Sequence, residues 1–257
     1  MYPILFSYGP LTIFTYGFFL ALAFLISMYM AGREAKRRGF RAEQIYDLSF
    51  YSIVSALIGS RVLDVVLKWD YFSARPMEIF MIWKGGLAFQ GGLIFGVLAM
   101  LYYIYRHKMP LWTTMDIMAL AVPLGQFIGR LGCFMAGCCF GTECHLPWAV
   151  TFHHPETLGP LGVPVHPTQL YESFLALGVF CFLLWLRHRQ RFPGQILGTY
   201  FLLAGIMRFL VEFWRGDERG PVLILGMPST QVIALGLIVG ASLLLFWRSR
   251  ATQAAAV

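Results

Sequence analysis

The chain has 257 residues, of which 58% are hydrophobic and 13% charged, with a formal net charge of +7 and a mean hydropathy of +0.65. A soluble domain carries roughly twice that share of charge, so the excess apolar surface needs a lipid solvent and an ordinary soluble globule is excluded. The basic residues sit in short clusters between apolar runs, as membrane flanks do, so no nucleic-acid partner is expected.

The length suits a single polytopic membrane domain over 1–257, of all-α class. An apolar stretch near 20 residues crosses a hydrocarbon core about 30 Å thick, and such a span is helical because lipid offers its backbone no hydrogen-bond partners. Seven stretches qualify: 11–31, 48–67, 86–105, 112–132, 168–186, 196–214 and 228–247. The third is Gly-rich, and the sixth carries Arg208 and Glu212. The N-terminus lacks a basic region, short apolar core and small-residue cleavage site, so no cleavable signal peptide is expected. The segment 77–83 is too short to span and is expected to lie at the interface or re-enter.

Lys and Arg set the orientation. Clusters follow span 1 (Arg33, Lys36, Arg37, Arg38, Arg41), span 3 (Arg106, Lys108), span 5 (Arg187, Arg189, Arg191) and span 7 (Arg248, Arg250). These twelve of the 20 basic residues fall on one side, which the positive-inside rule makes cytoplasmic. The N-terminus is then periplasmic and the C-terminus cytoplasmic. The long connections 133–167 and 215–227 fall outside, and a connection as long as the first is usually functional.

Four strings carry chemistry. Arg130, in GRLGCFMAGCCFG (129–141), lies at the outer end of span 4, where Gly residues favour close packing and an inward guanidinium. The alternative is an arginine snorkelling to the surface. In RFLVEFWR, the spacing of Arg208, Glu212 and Arg215 puts all three on one helix face. Two arginines and one glutamate suit a phosphate, which guanidinium groups bind in bidentate fashion; a structural ion pair is the plainer reading. In WKGGLAFQGGL (83–93), two Gly pairs flank Gln90, and helix packing is the favoured reading of that string alone. Cys133, Cys138, Cys139 and Cys144 lie in or beside the first outer connection. Their C-x4-C-C-x4-C spacing is not a common structural zinc pattern, and disulfides are at least as well supported in an oxidising compartment. Cys181 sits within span 5 as a packing residue. His166 opens HPTQLYE (166–172) ahead of span 5, where a histidine is more often a hydrogen-bonded anchor than a base.

In order, TYG (15–17), GSR (59–61), WKGGLAFQGGL (83–93), GRLG (129–132), HPTQLYE (166–172) and MRFLVEFWRGDE (207–218) resemble bacterial prolipoprotein diacylglyceryl transferases over nearly the whole chain. The resemblance implies transfer of a diacylglyceryl group from phosphatidylglycerol to the lipobox cysteine thiol in the signal peptide of a prolipoprotein, in the bacterial inner membrane, with no metal and no cofactor. It implies catalytic roles at Arg130, Arg208 and the position of Gln90. It also implies substrate-binding roles for Arg130, Tyr16, Arg61, Glu212, Arg215 and His166. The commonest form of the family has histidine where Gln90 stands, asparagine where Cys133 stands, glutamate where Cys138 stands and tyrosine where Ala204 stands. CFMAGCCFG marks a cysteine-containing branch. Glutamine cannot take a proton, so another thiol or hydroxyl acceptor on the same fold is an alternative. A lipid- or anion-binding membrane protein without enzymatic activity is another. A transporter is disfavoured by the lack of an internal repeat, and a CxxC redox protein by the cysteine spacing.

Overall fold

Six helices are long and apolar enough to cross a membrane in the computed structural model, which describes residues 2–8, 11–81, 85–216 and 226–254. They are α1 (Thr15–Arg37), α2 (Ala42–Leu67), α5 (Leu111–Ala136), α6 (Thr168–Leu186), α7 (Gln195–Val211) and α8 (Ser229–Ala254). A short α3 (Trp69–Ser73) and the 18-residue α4 (Phe89–Arg106) complete the set. The expected third span is thus a helix, α4, but is not among the six; Gln90, three tyrosines and Arg106 dilute its apolar run. Two short strand pairs accompany the helices of this all-helical membrane protein. Residues 11–14 form a strand, β2 (Leu11–Phe14), antiparallel to β1 (Ile4–Tyr8), and α1 begins only at Thr15. A second small pair joins β3 (Val150–Thr151) to β4 (Pro164–Val165).

The chain divides into two compact units, residues 31–114 and residues 1–30 with 115–257. In the first, α2 and α4 pack through glycine. A Cβ on Gly91 would strike the Gly59 carbonyl, and one on Gly59 would strike Phe95. The packing reading of the Gly pairs around Gln90 therefore holds for Gly91 and Gly92, which lie against Gly59 and Ser60 of α2. Beyond α2 the chain makes a 3-10 turn over Pro76–Phe80. Residues 82–84, which end the expected interfacial segment and begin WKGGLAFQGGL, lie outside the described residues.

In the second unit α5 is tied to the first residues of α1 by small contacts, with Gly132 against Phe19 and Gly125 against Ser27. Ser173 of α6 donates to the Phe127 carbonyl of α5 at 2.9 Å. Buried Asp116 of α5 caps α7, accepting from the Gly194 and Leu197 amides at 2.7 and 2.9 Å and from Gln190 at 2.6 Å. An acid at a helix N-terminus satisfies orphan amides and meets the positive end of the dipole. Gly205 and Gly198 let α7 lie closely on Ile238 and Leu245 of α8.

Candidate active site

α5 ends at Ala136, and Gly137 takes φ +74°, where a Cβ would collide with Thr157. This left-handed residue reverses the chain and returns Cys138 and Cys139 over the last helical turn. The first turn of α6 then holds the returning backbone. Fully buried Gln169 donates to the Cys138 carbonyl at 2.7 Å, and fully buried Thr168 donates to the Cys139 carbonyl at 2.8 Å. Further on, Gly141 is pinched between His166 and the Trp214 carbonyl, and Gly141 pairs with Arg215 as an isolated bridge. Residues 140–142 thereby join the start of α6 to the end of α7.

One turn into α6, Glu172 sits at the centre of a charged group. Its Oε2 lies 2.5 Å from Arg130 Nε, and its Oε1 accepts from Arg208 at 2.8 Å and from Arg215 at 3.1 Å. The Arg130 contact is an ion pair and not an aligned hydrogen bond, since Glu172 Oε2 has no hydrogen-bond partner. Arg208 also donates to Glu212 at 2.6 Å, and Thr230 of α8 donates to the other Glu212 oxygen. Side-chain exposure grades the group: 2% at Arg215, 3% at Glu172, 21% at Arg208 and 28% at Arg130. Arg215 and Glu172 are interior, whereas Arg208 and Arg130 still present an open side. Among the described residues, three arginines against two glutamates leave one positive charge.

The expected inward turn of Arg130 and the pairing of Arg208 with Glu212 are both present. The shared helix face of Arg208, Glu212 and Arg215 is not. α7 tightens to a 3-10 turn over Glu212–Trp214, and Arg215 is extended at φ −80°, ψ 136°, because its backbone pairs with Gly141. Arg215 still reaches Glu172. Glu172 itself carried no expected role. The signal for it was an acid in the opening turns of an otherwise apolar helix, which an intramembrane charge of opposite sign must balance. Residues 217–218, which end MRFLVEFWRGDE, lie outside the described residues.

Three sulfur atoms flank this group. The Sγ atoms of Cys133, Cys138 and Cys139 all lie within 4.8 Å of one another, and none of the three is in a disulfide. Hydrogen bonds from the Cys133 and Cys138 thiols hold the Cys139 thiol far below its usual range; burial opposes this and the Arg130 and Arg215 charges assist it. The Cys138 thiol is pushed up by its hydrogen bonds with Cys133 and Cys139 and by burial. Tyr16, half-exposed at the start of α1, neighbours both Arg130 and the thiol trio. The linear spacing gave no metal motif because the trio depends on the chain reversal at Gly137. Cys144 is buried elsewhere, its amide bonded to the Pro164 carbonyl.

The remaining expected residues stand as follows. His166 is an anchor: its backbone exchanges hydrogen bonds with Gly141 and Thr142, and its Nδ1 lies 3.2 Å from the Tyr171 hydroxyl, which also accepts from Trp148. Gln90 is exposed in the first turn of α4. Arg61 is buried, and its side chain is engaged by the backbone. Nε donates to the Ile79 carbonyl at 2.9 Å, Nη1 to Gly85 and Gly86 at 2.8 and 3.0 Å, and Nη2 to Glu78 and more weakly to Met81. These five carbonyls match the five N–H donors of a guanidinium. Arg61 thus organises the segment after α3 and has no N–H left for a headgroup. It forms part of the wall of a cavity of about 590 Å³ with Asp64, Lys68 and Arg75.

Membrane-length helices around a buried arginine–glutamate group that keeps one open side define an integral membrane protein with a basic polar site. The chain belongs to the prolipoprotein diacylglyceryl transferase family, whose profile matches residues 3–247. It is 34% identical over 249 residues to a phosphatidylglycerol–prolipoprotein diacylglyceryl transferase of Mannheimia succiniciproducens, covering 95% of this chain and 89% of that one. A Vibrio vulnificus protein of the same name is 36% identical over 250 residues, covering 95% and 90%. The second such transferase of Clostridium perfringens is 30% identical over 237 residues, covering 91% and 90%.

Proposed function

We propose that this chain transfers the diacylglyceryl group of phosphatidylglycerol to the lipobox cysteine thiol of a prolipoprotein, the first step of lipoprotein maturation. Family membership and the relatives' names support the reaction. The observation that carries the assignment of residues is the convergence of Arg130 from α5 and Arg208 from α7 on one carboxylate, Glu172. Their open sides hold the phosphodiester, and Arg215 and Glu212 fix Arg208 and the charge balance. Tyr16 borders the acyl-glycerol end, and His166 holds the wall of the site through Tyr171. Displacement at carbon is limited by how well the departing phosphate is stabilised, and fixed guanidinium groups do this without reorganising. Gln90 cannot take a proton as a base, and its part is a polar contact.

The same reading makes α4 a seventh span, with a periplasmic N-terminus and a cytoplasmic C-terminus, in the inner membrane. The twelve basic residues on one face of that layout support it. The experiment is transfer by the purified protein in vesicles containing phosphatidylglycerol and a lipobox peptide. The expected products are a lipid thioether on the peptide and glycerol phosphate, both lost in Arg130→Ala. A wild-type protein that lipidates no thiol peptide overturns the assignment.

A further inference from the structure

We propose that Cys133, Cys138 and Cys139 form a three-thiolate site for a thiophilic divalent cation of the zinc type, with the fourth coordination position open to the acceptor thiol. The site itself stands on the geometry; the role of the open position rests on the transferase reading above.

The trio has the features of a built site. Cys133 is in the last turn of α5, and the Gly137 reversal sets the other two sulfurs over it, all within 4.8 Å. Zinc–sulfur bonds of about 2.3 Å put tetrahedral thiolates roughly 3.8 Å apart, so a contraction of about 1 Å closes the cluster on an ion. The backbone that carries the sulfurs is held from outside by Gln169 and Thr168, both fully buried and both donating to the carbonyls of the cysteines themselves. Cys139 is a non-glycine residue at φ +62°. That conformation is uncommon for a side-chain-bearing residue and persists where surroundings impose it. Three thiolates on a divalent cation carry one net negative charge, and the Arg130 guanidinium neighbours Cys133 and Cys139 to receive it. Oxidation is the competing fate: Cys138 with Cys139 is a strained neighbour pair, but Cys133 can pair with either, and isolation without reductant separates the two outcomes.

Three protein ligands with a vacant fourth position are the pattern of a catalytic rather than a structural zinc site. A thiol that enters such a position is deprotonated outright. This activates the thiol in a way that Gln90, which cannot accept the thiol proton, does not. The acceptor thiol binds the cation and releases its proton to water. A sulfur lone pair then forms the new bond to the glyceryl carbon, the carbon–oxygen bond breaks, and its electron pair leaves on glycerol phosphate beside Arg130. No oxidation state changes, and the neutral thioether leaves the cation more readily than a thiolate would.

The test uses the full chain in detergent micelles, purified under reductant and loaded with zinc. The expected result is a single zinc per chain whose X-ray absorption shows three sulfur ligands and one light atom, changing to four sulfurs when a lipobox peptide is added. Cys139→Ser and the triple serine variant lose the zinc, while Cys144→Ser and Cys181→Ser keep it. Counting sulfurs on the wild type keeps the test valid if a serine variant fails to fold. Failure to retain zinc, or a disulfide within the trio of protein isolated in parallel without reductant, overturns the site. A fourth ligand that stays a light atom with peptide bound overturns the acceptor role, as does undiminished transfer after chelation, for which the expected loss is about 100-fold. A zinc-loaded protein that gains the fourth sulfur yet transfers no lipid supports the site and tells against the diacylglyceryl reading alone.

Discussion

Replacing Glu172 by glutamine keeps the volume and removes only the charge on which Arg130, Arg208 and Arg215 meet. Arg208 retains Glu212, but Arg215 is almost wholly buried and loses the Glu172 carboxylate, and the sum over these Arg and Glu side chains rises from one positive charge to two. Removing one partner of a buried ion pair costs about 3–5 kcal/mol. The amide oxygen of glutamine still accepts one hydrogen bond, so the lower end, about 3 kcal/mol, is expected. For a chain of this size each kcal/mol moves the melting temperature by roughly 2–4 °C, giving a fall of about 6–12 °C in micelles, followed by intrinsic tryptophan fluorescence. An anion lodged among the arginines replaces part of the missing charge. Short-chain phosphatidylglycerol at about 100 times its Kd adds about 2.7 kcal/mol to any binder, and the variant is expected to gain more from it than the wild type gains. A variant that melts within about 2 °C of the wild type, a difference under roughly 1 kcal/mol, would refute the view that Glu172 holds the group together.

Other perturbations separate the two units. Arg61→Lys replaces a planar five-donor fork by a point charge with three donors; a loss of about 2–3 kcal/mol is expected from broken backbone hydrogen bonds, seen as faster hydrogen exchange at Glu78, Ile79 and Gly86. Gly91→Val drives a branched side chain into the Gly59 carbonyl and is expected to lower stability by about 1–3 kcal/mol, read from the melting temperature. Asp116→Ala strands the Gly194 and Leu197 amides and is expected to cost about 2–3 kcal/mol, with fraying of the first turn of α7 in hydrogen exchange. Arg130→Lys keeps the charge but not the bidentate fork, and is expected to lower transfer by about 10-fold or more in the vesicle assay while leaving the melting temperature within a few degrees of the wild type.

Much of this was legible from residues close together in the chain. Lipid demands long apolar runs, so the crossing helices could be read from composition, and Arg208 with Glu212 could be paired from a spacing of four. What the sequence hid depends on tertiary reversal. Glu172 is one acid among apolar neighbours until α5 and α7 bring three arginines to it. The thiol trio exists only because Gly137 turns the chain back, which spacing alone does not reveal. Arg61 received its substrate-binding role from the resemblance alone, whereas here backbone carbonyls of 78–86 take up its N–H groups. Arg215 was assigned to the right cluster for a wrong reason, since the helix face that would carry it ends at Val211.

A carboxylate at the heart of a phosphate site looks self-defeating, yet the charge balance shows why it is useful under the proposed reaction. Three guanidinium groups without an acid would repel one another and stay apart in a water-poor setting. Glu172 and Glu212 gather them, and these five side chains taken together leave a single positive charge. The phosphodiester of phosphatidylglycerol carries one negative charge, which this balance matches in the ground state. As the carbon–oxygen bond breaks, the departing phosphate moves toward two negative charges. Attraction to Arg130 and Arg208 therefore grows along the reaction coordinate, which is the condition for an interaction to raise the rate and not merely to tighten binding. A site carrying all three positive charges uncompensated would hold the intact lipid and its product more strongly as well, slowing release. By this logic Glu212→Gln, which raises the local charge while leaving the Glu172 contacts in place, should bind phosphatidylglycerol and glycerol phosphate more tightly and turn over more slowly. Tighter binding with unchanged turnover, or weaker binding, would show that the acids serve packing alone.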